Sequence, residues 1–124
     1  MRHKIHKKKF GRQVDHTRAM LKNLTTSLIL YGKIKTTRAK AKAVTSRIEK
    51  LISLARNVDA GKISLREGIR HFESELFDAN ASRKLIEELG KRYAKRESGF
   101  TRMTALRTRP GDAAPVVQIE LIET

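Results

Sequence analysis

The chain has no cysteine and no tryptophan among its 124 residues, and aromatic residues make up only 5%. Without thiols it can form neither a disulfide nor a thiolate metal site, which fits a reducing compartment. Two tyrosines and four phenylalanines are too few for the row of stacked rings on which single-strand binders hold successive bases. No run approaches the ~18 consecutive apolar residues of a membrane-spanning helix. The cationic start has no apolar stretch behind it, which argues against a secretory signal. Its clustered Lys and His, without an apolar face, argue against a mitochondrial transit peptide. No internal repeat is present.

Acids are scarce as well, but only in one half. Residues 1–56 hold sixteen Lys and Arg against two acids, Asp15 and Glu49, whereas residues 57–124 hold twelve against eleven. The net charge of +15 is therefore concentrated at one end of the chain. Such a balance calls for a polyanionic partner, either nucleic acid or an anionic membrane surface. The length suits one domain with a real core, while 39% hydrophobic content is lean enough that part of the chain should take its order from a partner.

Residues 1–14 carry Arg2, Lys4, Lys7, Lys8, Lys9 and Arg12, with His3 and His6 among them and no acid. Their apolar residues are too scattered to form a buried face, so this stretch is expected to be a flexible basic arm that orders when phosphates neutralise it. Gly11 suits the turn out of the arm. His3, His6 and His16 have no cysteine or carboxylate cluster beside them and fit polar contacts better than metal ligation.

Residues 15–124 are expected to form a single domain. In a first helix, Leu21, Leu24, Leu28 and Tyr31 recur at helical spacing, with Asp15 as N-cap and Gly32 as a left-handed stop. Arg18 and Lys22 lie off that stripe. Residues 33–36 alternate as a short strand with Ile34 facing in. Thr36 or Thr37 caps a second helix whose stripe is Ala41, Val44, Ile48, Leu51 and Ala55. Arg38, Lys40, Lys42, Arg47 and Lys50 lie outside it. With almost no acids to pair with inside the helix, these cations favour phosphate contact over a merely solvated face.

After a loop at 57–61, two shorter helices are expected. One has Leu65, Ile69, Phe72 and Leu76 on a face, the other Leu85, Ile86, Leu89 and Tyr93, and together they cover the core. Glu87 and Glu88 are adjacent and diverge by about 100° around a helix, which fits a solvated face better than an acid–base pair. Lys91, Arg92, Lys95 and Arg96 suit a helix C-terminus and an RNA contact about equally. Strands at 100–107 and 116–122 flank a turn-rich loop and form a hairpin, with Val117, Ile119 and Leu121 inward. The order is α-β-α-α-α-β-β, an α+β domain of two layers with the first strand beside the hairpin.

These features come together in a resemblance. Met1-Arg2-His3-Lys4 opens the chain, and Ala19-Met20-Leu21-Lys22-Asn23-Leu24 follows in the first helix. Ile34-Lys35-Thr36-Thr37 leads to Lys40-Ala41-Lys42, and Glu88-Leu89-Gly90 comes later. The end carries Gly99-Phe100-Thr101-Arg102, then Arg109-Pro110-Gly111-Asp112-Ala113-Ala114-Pro115 and Ile119-Glu120-Leu121. In order and spacing the chain resembles the bacterial large-subunit ribosomal protein seventeen family along essentially its whole length. It departs in a longer Lys-rich arm at 5–10 and an expanded segment at 61–78.

The resemblance implies a structural, non-catalytic component of the large ribosomal subunit in the cytoplasm, without cofactor or metal. It would be a monomer within the ribosome. It would bind large-subunit ribosomal RNA on the solvent side near the nascent-chain tunnel exit, beside neighbouring ribosomal proteins. No membrane and no small-molecule substrate is implied. The residues expected to hold RNA are Arg2, His3, Lys4, Lys7, Lys8, Lys9, Arg12, Arg18 and Lys22 from the arm and first helix. From the link and second helix come Lys33, Lys35, Thr36, Thr37, Arg38, Lys40 and Lys42, and from the hairpin Arg102, Arg107 and Arg109.

Two other classes share the charge. A small DNA-binding or architectural protein would normally show a recognition helix or a dimer seam, and neither is identifiable. An RNA-acting enzyme would need a carboxylate cluster or an acid–base pair, yet the basic half has only Asp15 and Glu49. A peripheral membrane role lacks aromatic anchors on the basic helices.

Overall fold

Gly32 sets the first turn of the fold. In the computed structural model, which describes residues 10–123, it sits at φ 81° and donates its N–H to the Leu28 carbonyl, ending helix α1 (Val14–Tyr31). Only a residue without a Cβ takes this left-handed conformation cheaply. The expectations for Arg2, His3, Lys4, Lys7, Lys8 and Lys9 lie outside the described residues. Helix α1 begins two residues earlier than its sequence suggests. Gln13 is the N-cap, without a side-chain cap bond, and Asp15 lies in the first turn. There its carboxylate still meets the positive end of the helix dipole.

The buried face of α1 also differs from the leucine stripe. Leu21, Leu28 and Ile29 are buried together with Thr17, Thr25 and Thr26, whereas Leu24 is half-buried and Tyr31 exposed. Threonine is tolerated inside because its hydroxyl bonds back along the helix. Thr25 Oγ1 donates to the Leu21 carbonyl at 2.7 Å and Thr26 Oγ1 to the Lys22 carbonyl at 2.8 Å. Thr26 Oγ1 also accepts from the Phe77 N–H at 3.2 Å, tying α1 to a distant loop.

Strand β1 (Lys33–Thr37) runs into helix α2 (Arg38–Asp59), whose N-cap is Thr37. The expected stripe Ala41, Val44, Ile48, Leu51 and Ala55 is buried, joined by Ile52. Helix α3 (Leu65–Glu75) follows, with Ser64 accepting from the Glu67 N–H. Phe72 and Leu76 enter the core as expected, but Leu65 stays exposed. One turn further on, Gly68 packs tightly on α2, where an added Cβ would stand 2.6 Å from Val58 Cγ2.

The next helix starts at α4 (Ala79–Lys84), capped by the Asp78 carboxylate. It continues without a break through a π-helical turn at Leu85–Leu89 into α5 (Gly90–Arg92). In that turn the Gly90 N–H reaches back five residues to the Leu85 carbonyl. Counted as one rod, 79–92 completes the order α-β-α-α-α and is followed by strands β2 (Thr101–Thr108) and β3 (Pro115–Leu121).

The sheet is antiparallel throughout with strand order β1-β3-β2, so β1 lies beside the hairpin. Val117, Ile119 and Leu121 face the helices, α1 and α2 lie against the sheet, and α3 and the 79–92 rod lie behind them. Tyr93, Phe72 and Phe100 are the largest fully buried side chains. Tyr93 packs at 5.1 Å between ring centroids on Phe100, and its hydroxyl donates to the Ile122 carbonyl, closing the rod onto the end of β3. This is an α+β fold.

Candidate nucleic-acid interface

Side chains directly opposed across an antiparallel ladder project from the same face. Lys33 opposes Glu120, which opposes Arg102. Lys35 opposes Gln118, which opposes Thr104, and Thr37 opposes Val116, which opposes Arg107. The outer face of the sheet therefore gathers Lys33 and Lys35 from one edge with Arg102 and Arg107 from the other, although they lie some seventy residues apart in sequence. Thr36 opposes buried Val117 and so points the other way, toward the helices.

A bulge decides the place of Arg107. The register slips between Ala105 and Arg107, so that Arg107, not Leu106, stands opposite Val116. One extra residue reverses the in–out parity of a strand beyond it. The imperfect alternation of this strand in the sequence is the trace of that bulge. Leu106, displaced, is left partly exposed with Met103 in an open groove of about 400 Å³ that Arg38 and Arg107 also line.

The hairpin arginines are not all equally free. Arg102 Nη2 lies 2.6 Å from Glu120 Oε1 and holds that carboxyl below its usual range. Arg109 Nε donates to Asp112 Oδ1 at 3.1 Å, and the Ala114 N–H donates to the same oxygen at 3.2 Å. These bonds, the one from Arg109 first, lower Asp112 to about 2. At both arginines a carboxylate already occupies the Nε and Nη2 edge of the guanidinium. Because the folded value lies below the unfolded one, the loop's gain from Asp112 is complete above the ordinary carboxylate range and is lost as pH falls toward 2. A carbon-detected NMR titration should place the Asp112 midpoint at about 2. Arg109→Ala should return it toward the ordinary range, and an unchanged midpoint would refute the assigned cause.

On α2, charge is placed against helix electrostatics. Its first turn contains Arg38 and Lys40 and no acid, and Thr37 gives no side-chain cap. Cations at a helix N-terminus cost about 0.3–1 kcal/mol each, whereas an anion there is stabilised by the dipole and the free amides. Arg38 and Lys42 share a flank one turn apart, and Lys40 lies on another. On α1, Arg18 is exposed and Lys22 stands one turn on, with its ammonium 4.3 Å above the Phe77 ring. Arg12 bonds the Phe10 carbonyl at 2.9 Å.

Several cations turn out to hold the fold. Arg47, expected to be free for phosphate, pairs with Glu75 of α3 at 3.0 Å. The acid it needed lies in the other half of the chain, where helical spacing alone cannot reveal it. Arg56 donates to the Ala94 and Glu97 carbonyls, and Arg96 to that of Gly99. Glu49 accepts from the Phe100 N–H at 3.0 Å and from Thr101 Oγ1 at 3.1 Å, so it clamps α2 to β2. Conversely, Lys84 went unnoticed in the sequence, and its ammonium lies 3.3 Å from the Leu30 carbonyl at the end of α1. Among the described residues no three His, Asp or Glu side chains are grouped as metal ligands would be, and no helix is long and apolar enough to cross a membrane.

The chain is thus a small basic protein of the α+β class, with cations gathered on one sheet face and at an acid-free helix start. The model of the ribosomal protein L17 family matches residues 20–122, and the chain belongs to that family. It is 42% identical over 114 residues to the large ribosomal subunit protein bL17 of Carboxydothermus hydrogenoformans, covering 92% of this chain and 96% of that one. It is 41% identical to the bL17 protein of Campylobacter hominis, with 98% of each chain covered. Against that of Helicobacter hepaticus it is 42% identical, covering 98% of this chain and all of the other.

Proposed function

We propose that this chain is a structural constituent of the large ribosomal subunit, which binds and stabilises the subunit's RNA by scaffolding, without a chemical step. Membership of a family whose relatives are named as large-subunit proteins supports the ribosomal role. The observation that carries RNA contact is the acid-free start of α2 beside the cationic sheet face. Positive charge is held there at a cost to the free helix that phosphate would remove.

In this role the arm at residues 1–14 neutralises phosphates where RNA segments converge. The domain fixes their geometry through Lys33, Lys35, Arg38, Lys40, Lys42 and Arg107, with Arg18 and Lys22 on a second side. Recognition rests on shape, backbone and 2′-hydroxyl contacts more than on base sequence. The family resemblance extends the proposal to a cytoplasmic monomer on the solvent side near the tunnel exit, flanked by other ribosomal proteins. Sucrose-gradient fractionation of a lysate, with and without a high-salt wash, tests it. The chain should sediment with the large subunit and stay there after washing. Recovery only in free-protein or nucleoid fractions would overturn the proposal.

A further inference from the structure

Of the chain's six aromatic rings, two stand exposed, Phe77 at 55% and Tyr31 at 75%. Phe72, Tyr93 and Phe100 are fully buried, Phe10 packs partly against the core, and Phe77 carries the Lys22 ammonium over its face. Tyr31 differs, with 75% of its surface exposed, the most of any large hydrophobic side chain among the described residues. It is the last residue of α1, held rigidly in place. Gly32 bonds back to Leu28, and the Leu121 N–H donates to the Gly32 carbonyl at 2.9 Å, so the turn is anchored to both helix and sheet. A ring on a rigid mount loses little conformational freedom on binding.

Its surroundings are cationic. Lys84 bonds the carbonyl of the preceding residue, Leu30, and Lys33 follows two residues after the ring at the start of the sheet face. An exposed ring whose neighbouring backbone carries one lysine and whose next strand begins with another matches a nucleotide. The base covers the ring, and the phosphates on either side of it meet the lysines. A protein segment would cover the ring equally well but would have to bring its own acids to answer both lysines.

We infer that Tyr31 is the stacking site for one unpaired base of the bound RNA, with Lys84 and Lys33 receiving the flanking phosphates. The inference rests on the proposed RNA-binding role. A single such ring is compatible with a chain too poor in aromatics for a stacking platform. It makes Tyr31 a positioning contact that reads an unpaired nucleotide, where the lysines and arginines read only charge.

Stacking and ion pairing differ in their response to salt. A neutral ring releases no counterions, whereas each phosphate contact adds about one unit to the salt slope. Binding is measured with large-subunit ribosomal RNA stripped of protein, across a salt series. Tyr31→Ala should weaken affinity by about five- to a hundred-fold with an unchanged slope. Tyr31→Phe should bind like the original chain, and Lys33→Ala should lower the slope by about one unit. Exposure of the side chain predicts that the melting temperatures of both Tyr31 variants stay close to the original.

Emission gives a second readout, because the chain has two tyrosines and no tryptophan. Tyr93 is fully buried, so added RNA should quench the original chain more than Tyr31→Phe, whose residual emission corrects for RNA absorbance. Equal attenuation of the two, together with an unchanged affinity of Tyr31→Ala, would overturn the stacking site while leaving the RNA-binding role standing. A loss of large-subunit occupancy by Tyr31→Ala with RNA affinity intact would also overturn it, in favour of a protein neighbour at the ring. If the original chain showed no salt-dependent affinity for this RNA, the broader proposal would fail first.

Discussion

Replacing Gly90 by alanine is expected to lower the melting temperature by roughly 4–8 °C, the equivalent of about 1–2 kcal/mol for a domain of this size. The sign is the informative part. Gly90 is helical, with φ −59° and ψ −39°, and an exposed helical Gly→Ala change normally stabilises by about 0.5–1 kcal/mol. Here the new Cβ would stand 2.8 Å from the Ala55 carbonyl oxygen and 3.1 Å from its carbon. Both are backbone atoms near the C-terminal end of α2 and cannot swing aside. Overpacking of this kind costs about 1–3 kcal/mol and outweighs the propensity gain.

The π-helical turn and Gly90 serve the same contact. The turn adds a residue to the rod, and the missing side chain lets it press against α2, with Leu85, Leu89 and Tyr93 inside. Gly90→Val should be worse than alanine. Gly68→Ala provides the contrast, because its Cβ would meet a side-chain methyl of Val58 and no backbone atom. Thermal denaturation of the three variants decides the matter. A Gly90→Ala protein as stable as the original would remove the close approach as the reason for the glycine.

Removing residues 1–9 is expected to leave thermal stability nearly unchanged while flattening the salt dependence of RNA binding by about four units. The deleted stretch contains five Lys and Arg, namely Arg2, Lys4, Lys7, Lys8 and Lys9, and no acid. Each phosphate neutralised contributes about 0.7–0.9 to the slope, so affinity near ~0.15 M salt should fall on the order of a hundred-fold or more. The cut stops before Phe10 for a structural reason. That side chain packs partly against the core, so deleting it would mix a folding effect with the binding effect. Filter binding over a salt series is the measurement. An unchanged slope and affinity would mean that the arm does not touch the RNA, whatever the domain does.

Much of the architecture could be read from the chain because helical and strand periodicities are local. The α2 stripe, the Gly32 stop and the alternation of β3 all depend on neighbours within a turn or two, and each appears in the structure where it was expected. Tyr31 and Leu65 show the limit of that logic. Both fit a helical stripe by spacing, but Tyr31 ends its helix and Leu65 begins its own, where fewer neighbours are present to cover them. The threonines of α1 show the reverse case, since polar residues were buried by bonds to their own helix.

The sequence by itself determined the charge asymmetry, the α+β order and the family, because each is a property of residue identity and spacing. Only the tertiary structure decided which cations remain available. Arg47 meets Glu75 across 28 positions and Arg102 meets Glu120 across 18, and both pairs exist only because the chain folds back. The same holds for the bulge that turns Arg107 outward and the backbone contact that requires Gly90. It holds equally for Tyr31, left bare where its helix ends. Periodicity specifies a face, but what stands opposite that face is settled by packing in three dimensions.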